Sequence, residues 1–229
     1  MRIPVLSPVW DRVSDAAWDV ALNSFEMVSL GWRAWWWQLH FSAARQFLFD
    51  PPGKVVRREA PALGLPEGQC VFGETPVISM IAMLRRVGIT ADDVVFDLGC
   101  GRALALMGAA RHFGVKGVGI EVVPTLVARA RRMAGDLDLS GKVTLIEGDF
   151  LKQDLSPGTI FYAASTTYST RLMRRLAARI ARSVNAERPI RAITLSQPLG
   201  RPFRTLEKLR FPMTWGWVTT YFQELHYAE

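Results

Sequence analysis

The sequence has little cysteine and no long uninterrupted apolar run, and both absences narrow the class of protein. Only two cysteines, Cys70 and Cys100, occur in 229 residues, which excludes a disulfide framework and favours a reducing compartment. A membrane-spanning helix needs about 20 apolar residues, and Arg33, His40 and Arg45 interrupt the most apolar stretch. The first residues lack the pattern of a secretory signal. We therefore expect a cytoplasmic protein that is soluble or lies at the inner face of a membrane.

Neither basic nor acidic residues are concentrated in one segment of the chain. The net charge is +7, from 28 basic and 21 acidic residues, and the basic residues are mostly scattered arginines. Positive charge alone permits anionic partners, but without a dedicated basic segment we do not expect nucleic acid as a partner. The three histidines, His40, His112 and His226, are dispersed and lie far in sequence from the cysteines, so we expect no metal site.

Tryptophan, in contrast, is concentrated at the start of the chain. Six of the eight tryptophans fall in the first 37 positions: Trp10, Trp18, Trp32, Trp35, Trp36 and Trp37. Apolar residues recur there at steps of three and four, which predicts a helix over residues 9–49 with Gly31 as a candidate break. Two prolines after Asp50 end this helix, and residues 54–69 are expected to be a linker with little regular structure.

The aromatic helix has two interpretations. It folds back as a lid that buries one face and shapes the site beneath it, or it contacts a membrane through residues 15–48, with Arg33 and Arg45 reaching anionic headgroups.

Beyond residue 70 the apolar pattern alternates between strands and helices. A helix is expected over 77–87, then strands and helices in turn over 94–98, 103–113, 117–121, 124–139, 143–146, 159–163, 171–184, 192–195, 210–215 and 218–225. This order predicts an α/β fold, a Rossmann-like, doubly wound, mostly parallel seven-stranded sheet with an antiparallel C-terminal strand. We expect two regions, an N-terminal helical extension with its linker over 1–69 and a catalytic domain over 70–229. The arginine-rich helix near 171–182 is interpreted as a solvated face, or alternatively as a surface for an acidic partner.

The strand over 94–98 runs into a glycine turn that opens a helix. Gly99 and Gly101 let the backbone approach a ligand closely, but Ala103 replaces the third glycine of a dinucleotide site. Asp97 would repel a pyrophosphate, whereas it suits the ammonium of an amino acid. Glu121, about 20 residues on, can accept ribose hydroxyls. Asp149 can accept the adenine amino group, and the adjacent phenylalanine can cover the ring. S-adenosylmethionine fits this pattern and NAD fits it poorly.

These segments resemble the class I S-adenosylmethionine-dependent methyltransferases. Together with the loop at 72–75, the segment 196–199 and the tail motifs at 214–222, they resemble the Dot-one-type histone lysine methyltransferases and small prokaryotic and mitochondrial relatives that modify lysines of membrane proteins. The resemblance implies S-adenosylmethionine as the cofactor. It also implies three groups of cofactor-binding residues: Glu74 and Thr75 over the methionine end; Asp97, Gly99 and Gly101 along the methionine portion; Glu121 at the ribose, with Asp149 and Phe150 at the adenine. The alternative for Thr75 is a helix cap before a first-turn proline.

The sequence departs from the histone enzymes at the acceptor side. Residues 163–168 stand where that family has asparagines facing the methyl group, and the tail-strand tyrosine falls at or beside Thr220. The basic nucleosome-binding extension is absent. Histone is therefore not the expected substrate.

Methyl transfer from a sulfonium is an in-line displacement that needs alignment of acceptor, methyl carbon and sulfur. An amine acceptor must be neutral, so the site must desolvate it or accept its proton. The catalytic candidates expected at the mouth are Tyr162, Ser165, Tyr168 and Tyr221, with Thr166 beside them. None is an evident general base, and Tyr168 and Tyr221 have packing with a satisfied hydroxyl as an alternative role. Cys100 is expected to be a packing residue.

The sequence thus predicts a methyltransferase acting on a protein lysine nitrogen. One alternative is a methyltransferase for a hydrophobic small molecule or lipid at a membrane surface. Another is a cofactor-binding interaction module without catalysis.

Overall fold

The computed structural model describes residues 8–66, 71–184 and 188–226, with side chains from Ala17 onward except Asp19. The helices are α1 (Pro8–Leu30), α2 (Ala34–Phe47), α3 (Pro52–Glu59), α4 (Val77–Arg86), α5 (Leu104–Phe113), α6 (Pro124–Asp136) and α7 (Thr170–Ser183). The strands are β1 (Val94–Leu98), β2 (Lys116–Glu121), β3 (Val143–Glu147), β4 (Ile160–Ala163), β5 (Arg191–Leu195), β6 (Phe203–Met213) and β7 (Gly216–Leu225). Cys70 and the side chain of Trp10 lie outside the described residues.

The strands form one sheet in the order β3-β2-β1-β4-β5-β7-β6. The first five strands are parallel, and β7 is inserted antiparallel between β5 and β6. Apolar residues of α2, α4, α5 and α6 pack on one face, and those of α7 pack on the other. The predicted Rossmann-like sheet is confirmed. Strand β6 begins at Phe203, earlier than the expected start near 210, because its exposed side chains give little apolar alternation.

The N-terminal extension contains more regular structure than the sequence predicts. The expected helix is divided into two at Gly31, its candidate break, and the Gly31 amide donates to the Met27 carbonyl at 2.6 Å. The prediction of an irregular linker over 54–69 is wrong for residues 54–63, where α3 and a 3-10 turn at Ala60–Leu63 lie. Residues 67–69 lie outside the described residues. Helix α2 ends at Phe47, before the two prolines, as expected, and Pro52 is then the first residue of α3, where proline is well tolerated. Val55 and Val56 are buried and hold α3 on the fold.

The extension packs against the rest of the chain. On α2, Trp36, Leu39, Ala43 and Phe47 are buried and belong to the same core cluster as α5 and α6. Arg45 forms an ion pair with Asp136 of α6 at 2.9 Å. The domain division at residue 69 stays a prediction, but the extension and the sheet share one hydrophobic core.

Buried Glu26 connects α1 to the start of α4. One carboxylate oxygen accepts the indole N–H of Trp36 at 3.0 Å and lies 3.2 Å from His40 Nε2. The other accepts the Ile78 amide at 3.2 Å. Helix α4 has no side-chain N-cap of its own, so a carboxylate from the extension satisfies an amide of its first turn.

Candidate active site

A cavity of about 870 Å³ opens at the carboxyl ends of β1, β2, β3 and β4. Small-molecule sites are typically ~300–1,000 Å³, and ligands of open α/β sheets bind where the strand order reverses, as it does between β1 and β4. The extension contributes Val56, Leu63 and Leu65 to the wall. The cavity is therefore built by both regions of the chain.

The glycine turn after β1 forms the floor of the cavity. Gly99 has φ +90° and Gly101 has φ +56°, in the left-handed region that favours glycine. A Cβ at Gly99 would lie 2.5 Å from the Tyr168 hydroxyl oxygen, and one at Gly101 would lie 2.9 Å from the Phe72 ring. Ala103 precedes α5 at φ 56°. The turn thus needs glycine for both conformation and space.

Glu121 joins the end of β2 to this turn. One carboxylate oxygen accepts the Gly101 amide at 2.9 Å, and the other accepts the amides of Val122 and Val123 at 2.7 and 3.0 Å. Burial raises the pKa of Glu121, and the three backbone hydrogen bonds oppose that rise. Because a carboxylate offers about four acceptor positions, Glu121 retains capacity for a hydroxyl at the cavity it lines.

Asp97 lies at the end of β1 and is 4% exposed. Burial, followed by the nearby charge of Glu121, raises the pKa of Asp97 to about 7. Two carboxylates sharing a buried site destabilise each other's ionised form. Such a site favours a cation, which would restore the ionised state of Asp97.

The end of β3 supplies the third strand-end acid. Asp149 Oδ1 accepts the Leu151 amide at 2.9 Å, which shapes the loop after β3. The Phe150 ring lies 5.8 Å from the Tyr168 ring, and both rings line the cavity. The structure therefore brings every predicted cofactor-binding residue from Asp97 to Phe150 to one cavity.

The loop at 71–76 lies across the glycine turn. The Glu74 carboxylate accepts hydrogen bonds of 2.6 and 2.5 Å from Arg102, which immediately follows Gly101. The Glu74 carbonyl accepts the Thr214 hydroxyl at 3.0 Å. Glu74 thus links the loop to both the turn and the tail hairpin. Arg102 carries no signal in the sequence, because only the folded chain brings it beside Glu74.

Thr75 lines the cavity and hydrogen bonds through its hydroxyl to the Tyr162 hydroxyl. The alternative of a helix cap is wrong, since the N-cap of α4 is Pro76 and no side chain caps it.

Two of the four catalytic candidates lie at the cavity, namely Tyr162 and Tyr168. Ser165 is fully buried and donates to the Leu195 carbonyl at 2.7 Å. Tyr221 lies on β7 with Lys208 Nζ 5.3 Å from its ring. Neither residue lines the cavity, so placing Ser165 and Tyr221 at the mouth was wrong. A strand alternates its side chains between two faces, and sequence alone did not settle the register of β7.

The two cavity tyrosines are poor proton acceptors. Burial raises the pKa of Tyr162 and of Tyr168, so both phenols stay protonated near neutral pH. The Tyr168 hydroxyl donates to the Leu98 carbonyl at 3.0 Å, in keeping with a packing role. Burial likewise raises the pKa of the Cys100 thiol, which keeps this residue un-ionised at the turn.

Two aromatic residues of the wall were absent from the predicted site. Phe72 packs over Gly101, and Trp215 packs over Gly73, where a Cβ would lie 2.6 Å from the indole ring. Both belong to motifs that carried the resemblance, which was the available signal. Within the described ranges, no cluster of His, Cys, Asp and Glu is arranged to hold a metal ion.

The order of the sheet, the glycine turn and the strand-end acids define the class: the chain has the fold of the class I S-adenosylmethionine-dependent methyltransferases. An RNA methyltransferase from Salinibacter ruber, in complex with S-adenosyl-L-homocysteine, superimposes with a TM-score of 0.59 at 24% identity, over 68% of this chain and 95% of that one. A geranyl diphosphate C-methyltransferase from Streptomyces coelicolor, also solved with S-adenosyl-L-homocysteine, gives a TM-score of 0.53 at 14% identity, over 65% of this chain and 76% of that one.

Curated relatives are similar over shorter segments. A protein-lysine N-methyltransferase of Saccharolobus islandicus is 31% identical over 87 residues, covering 38% of this chain and 54% of that protein. A sterol 24-C-methyltransferase of Eremothecium gossypii is 30% identical over 101 residues, covering 42% of this chain and 27% of that protein. The chain thus spans about half or less of these relatives. No family model matches it.

Proposed function

We propose that the chain is an S-adenosylmethionine-dependent methyltransferase. The observation that carries this proposal is the pair of buried carboxylates, Asp97 and Glu121, flanking the glycine turn in a cavity of about 870 Å³. The ammonium of the methionine portion pairs with Asp97, the ribose hydroxyls meet Glu121, and the adenine lies beside Asp149 and Phe150. S-adenosylmethionine supplies an electrophilic methyl group when bound.

We propose a protein lysine nitrogen as the acceptor. The similarity to the Saccharolobus protein-lysine N-methyltransferase supports this choice. Phe72 and Trp215 give the same cavity apolar aromatic walls, and apolar surroundings lower the pKa of an amine toward its reactive neutral form. The work of the protein is then to hold nitrogen, methyl carbon and sulfur in line and to exclude water.

A second candidate acceptor is a hydrophobic small molecule or lipid. Leu63, Val71 and Phe72 give the cavity wall an apolar section, and one curated relative is a sterol methyltransferase. A third candidate is a cofactor-binding interaction module without catalysis, since neither cavity tyrosine is suited to act as a general base. Nucleic acid stays an unexpected partner.

Calorimetry with S-adenosylmethionine tests the shared premise. We expect the wild-type chain to bind and Glu121→Ala to bind at least about tenfold more weakly, because the ribose loses a charged acceptor. Glu207→Gln is the matched control. The Glu207 carboxylate lies on β6, pairs with Arg86 of α4 and does not line the cavity. Absence of binding by the wild type would overturn the proposal.

The acceptor is tested with a cofactor carrying a labelled methyl group and a fractionated lysate. Label in protein that hydrolyses to methyl-lysine supports the lysine proposal. Label confined to the organic extract assigns the lipid alternative, and cofactor binding without transfer to any fraction assigns the interaction module.

No helix within the described ranges is long and apolar enough to cross a membrane. A cytoplasmic location, with peripheral membrane contact through residues 15–48, stays a prediction.

A further inference from the structure

Helices α1 and α2 bury one face and leave a second apolar face uncovered. We define the α1–α2 apolar surface as Val28 of α1, Trp32 between the helices, Trp37 and Phe41 of α2, and Leu48 and Phe49 directly after α2. All six are exposed, including Trp32 at 74% and Phe49 at 92%. Their neighbours Trp36, Leu39 and Phe47 on α2 fill the core instead. Exposed apolar side chains grouped in this way mark an interaction surface.

The tryptophans of this surface have their polar atoms already satisfied. Trp32 Nε1 donates to the Ser29 carbonyl at 3.1 Å, and Trp37 Nε1 donates to the Gly31 carbonyl at 2.7 Å. The Trp37 and Phe41 rings stack with centroids 6.0 Å apart. These indoles can therefore enter an apolar phase without exposing an unpaired N–H group to it.

The exposed charged residues within 20–49 are all basic. Residues 20–49 contain a single acidic residue, Glu26, and its carboxylate is buried in the hydrogen bonds to Trp36 and Ile78. The exposed part of the stretch carries Arg45, which pairs with Asp136 of α6, and the partly exposed Arg33. Among the described residues Arg33 has no ion pair, and its guanidinium lies 4.3 Å from the Trp32 ring centre. A protein partner with an acidic rim and an anionic bilayer both complement arginine, but exposed tryptophans beside an arginine suit the headgroup region of a bilayer.

We propose that the α1–α2 apolar surface docks on a lipid bilayer that contains anionic headgroups. The aromatic rings enter the headgroup and upper acyl region, while Arg33 extends along the Trp32 ring to a lipid phosphate. This inference does not depend on the acceptor or on catalysis. The cavity wall also carries two exposed apolar residues, Leu63 of the extension and Val71 of the loop at 71–76.

Vesicle flotation with the full chain tests the proposal. We expect the wild type to float with phosphatidylcholine vesicles that contain about 30% phosphatidylglycerol, and to partition less as salt screens the arginines. Trp32→Ser, Phe41→Ser and Phe49→Ser combined should lower the partition coefficient at least about tenfold, since each aromatic ring contributes buried apolar area. Leu206→Ser with Leu209→Ser is the matched control, because these exposed β6 residues lie outside the surface.

A charge variant distinguishes electrostatic attraction to anionic lipid from non-specific hydrophobic adsorption. Arg33→Glu should weaken flotation with anionic vesicles and leave flotation with pure phosphatidylcholine unchanged, and its circular dichroism should match the wild type. The proposal is overturned if the wild type remains unbound at low salt, or if the triple variant floats as well as the wild type. It is equally overturned if light scattering shows a dimer that the triple variant abolishes, which would assign the surface to a second copy of the chain.

Discussion

Replacing Asp97 by asparagine should stabilise the ligand-free protein while weakening its cofactor site. The carboxyl is 4% exposed and faces Glu121, which together raise its pKa from 3.8 to about 7. At about 1.4 kcal/mol per pH unit, this difference corresponds to about 4 kcal/mol of unfolding free energy. The folded state holds the proton more tightly than the unfolded state does. Wild-type stability therefore falls as pH rises from about 4 to about 7.

Asparagine has no proton to lose, so the stability difference between Asp97→Asn and the wild type isolates this group. The difference should be smallest below pH 4, grow through the window up to pH 7, and stay constant above it. Urea unfolding at a series of pH values measures the difference directly. Asp92→Asn, the same substitution at an exposed carboxylate just before β1, is the matched control.

The same variant should bind S-adenosylmethionine less tightly at pH 8. Loss of a charge-assisted partner for the ammonium costs about 1.5–3 kcal/mol, which is roughly a 10- to 150-fold weaker Kd. A stability difference that does not change between pH 4 and pH 8 would refute the reasoning from burial. Unchanged cofactor affinity would instead refute the pairing of Asp97 with the ammonium.

Three further variants test the site. Gly99→Ala should lower the unfolding free energy by about 2 kcal/mol, because φ is +90° and the new Cβ meets the Tyr168 hydroxyl. The control, Gly135→Ala, adds a Cβ in open space on α6 and should stabilise the protein by about 0.5–1 kcal/mol. Equal effects of the two substitutions in urea titrations would contradict this reasoning. Tyr168→Phe should cost about 1 kcal/mol for one hydrogen bond and leave the methyl-transfer rate within about tenfold, so a drop beyond ~100-fold would mark it as catalytic. Arg102→Met should cost about 2 kcal/mol by leaving the Glu74 carboxylate unpaired, and adding Glu74→Gln should restore part of that loss in thermal unfolding.

The sheet and the glycine turn were predictable because their signals are local. The run from Val94 to Leu98 is nearly continuous in apolar side chains, and the structure has β1 over the same residues. Gly88 and Gly114 end α4 and α5 near their predicted positions. The prediction for the first part of the linker was wrong because proline breaks a helix from inside but is well tolerated in the first turn, where Pro52 lies.

The acceptor side was less predictable than the cofactor side. Placing Tyr221 required knowing which face of β7 its side chain takes, and a shift of one residue in a strand reverses that face. Ser165 lies in a 3-10 turn after β4, where its hydroxyl is bound to the Leu195 carbonyl. Phe72 and Trp215 reach the cavity only because the loop at 71–76 and the tail hairpin meet there, joined by Glu74 and Thr214.

The sequence by itself determined that a strand, a glycine turn and a helix succeed one another at residues 94–113, and that acids follow successive strands. These features depend on neighbours along the chain. Only the tertiary structure decided that Asp97 is buried beside Glu121 with a raised pKa, that Arg102 clamps Glu74, and that the tryptophan-rich helices divide their aromatic residues between the core and an uncovered surface. Burial, charge proximity and solvent contact depend on distances between residues that are far apart in sequence, and folding alone sets those distances.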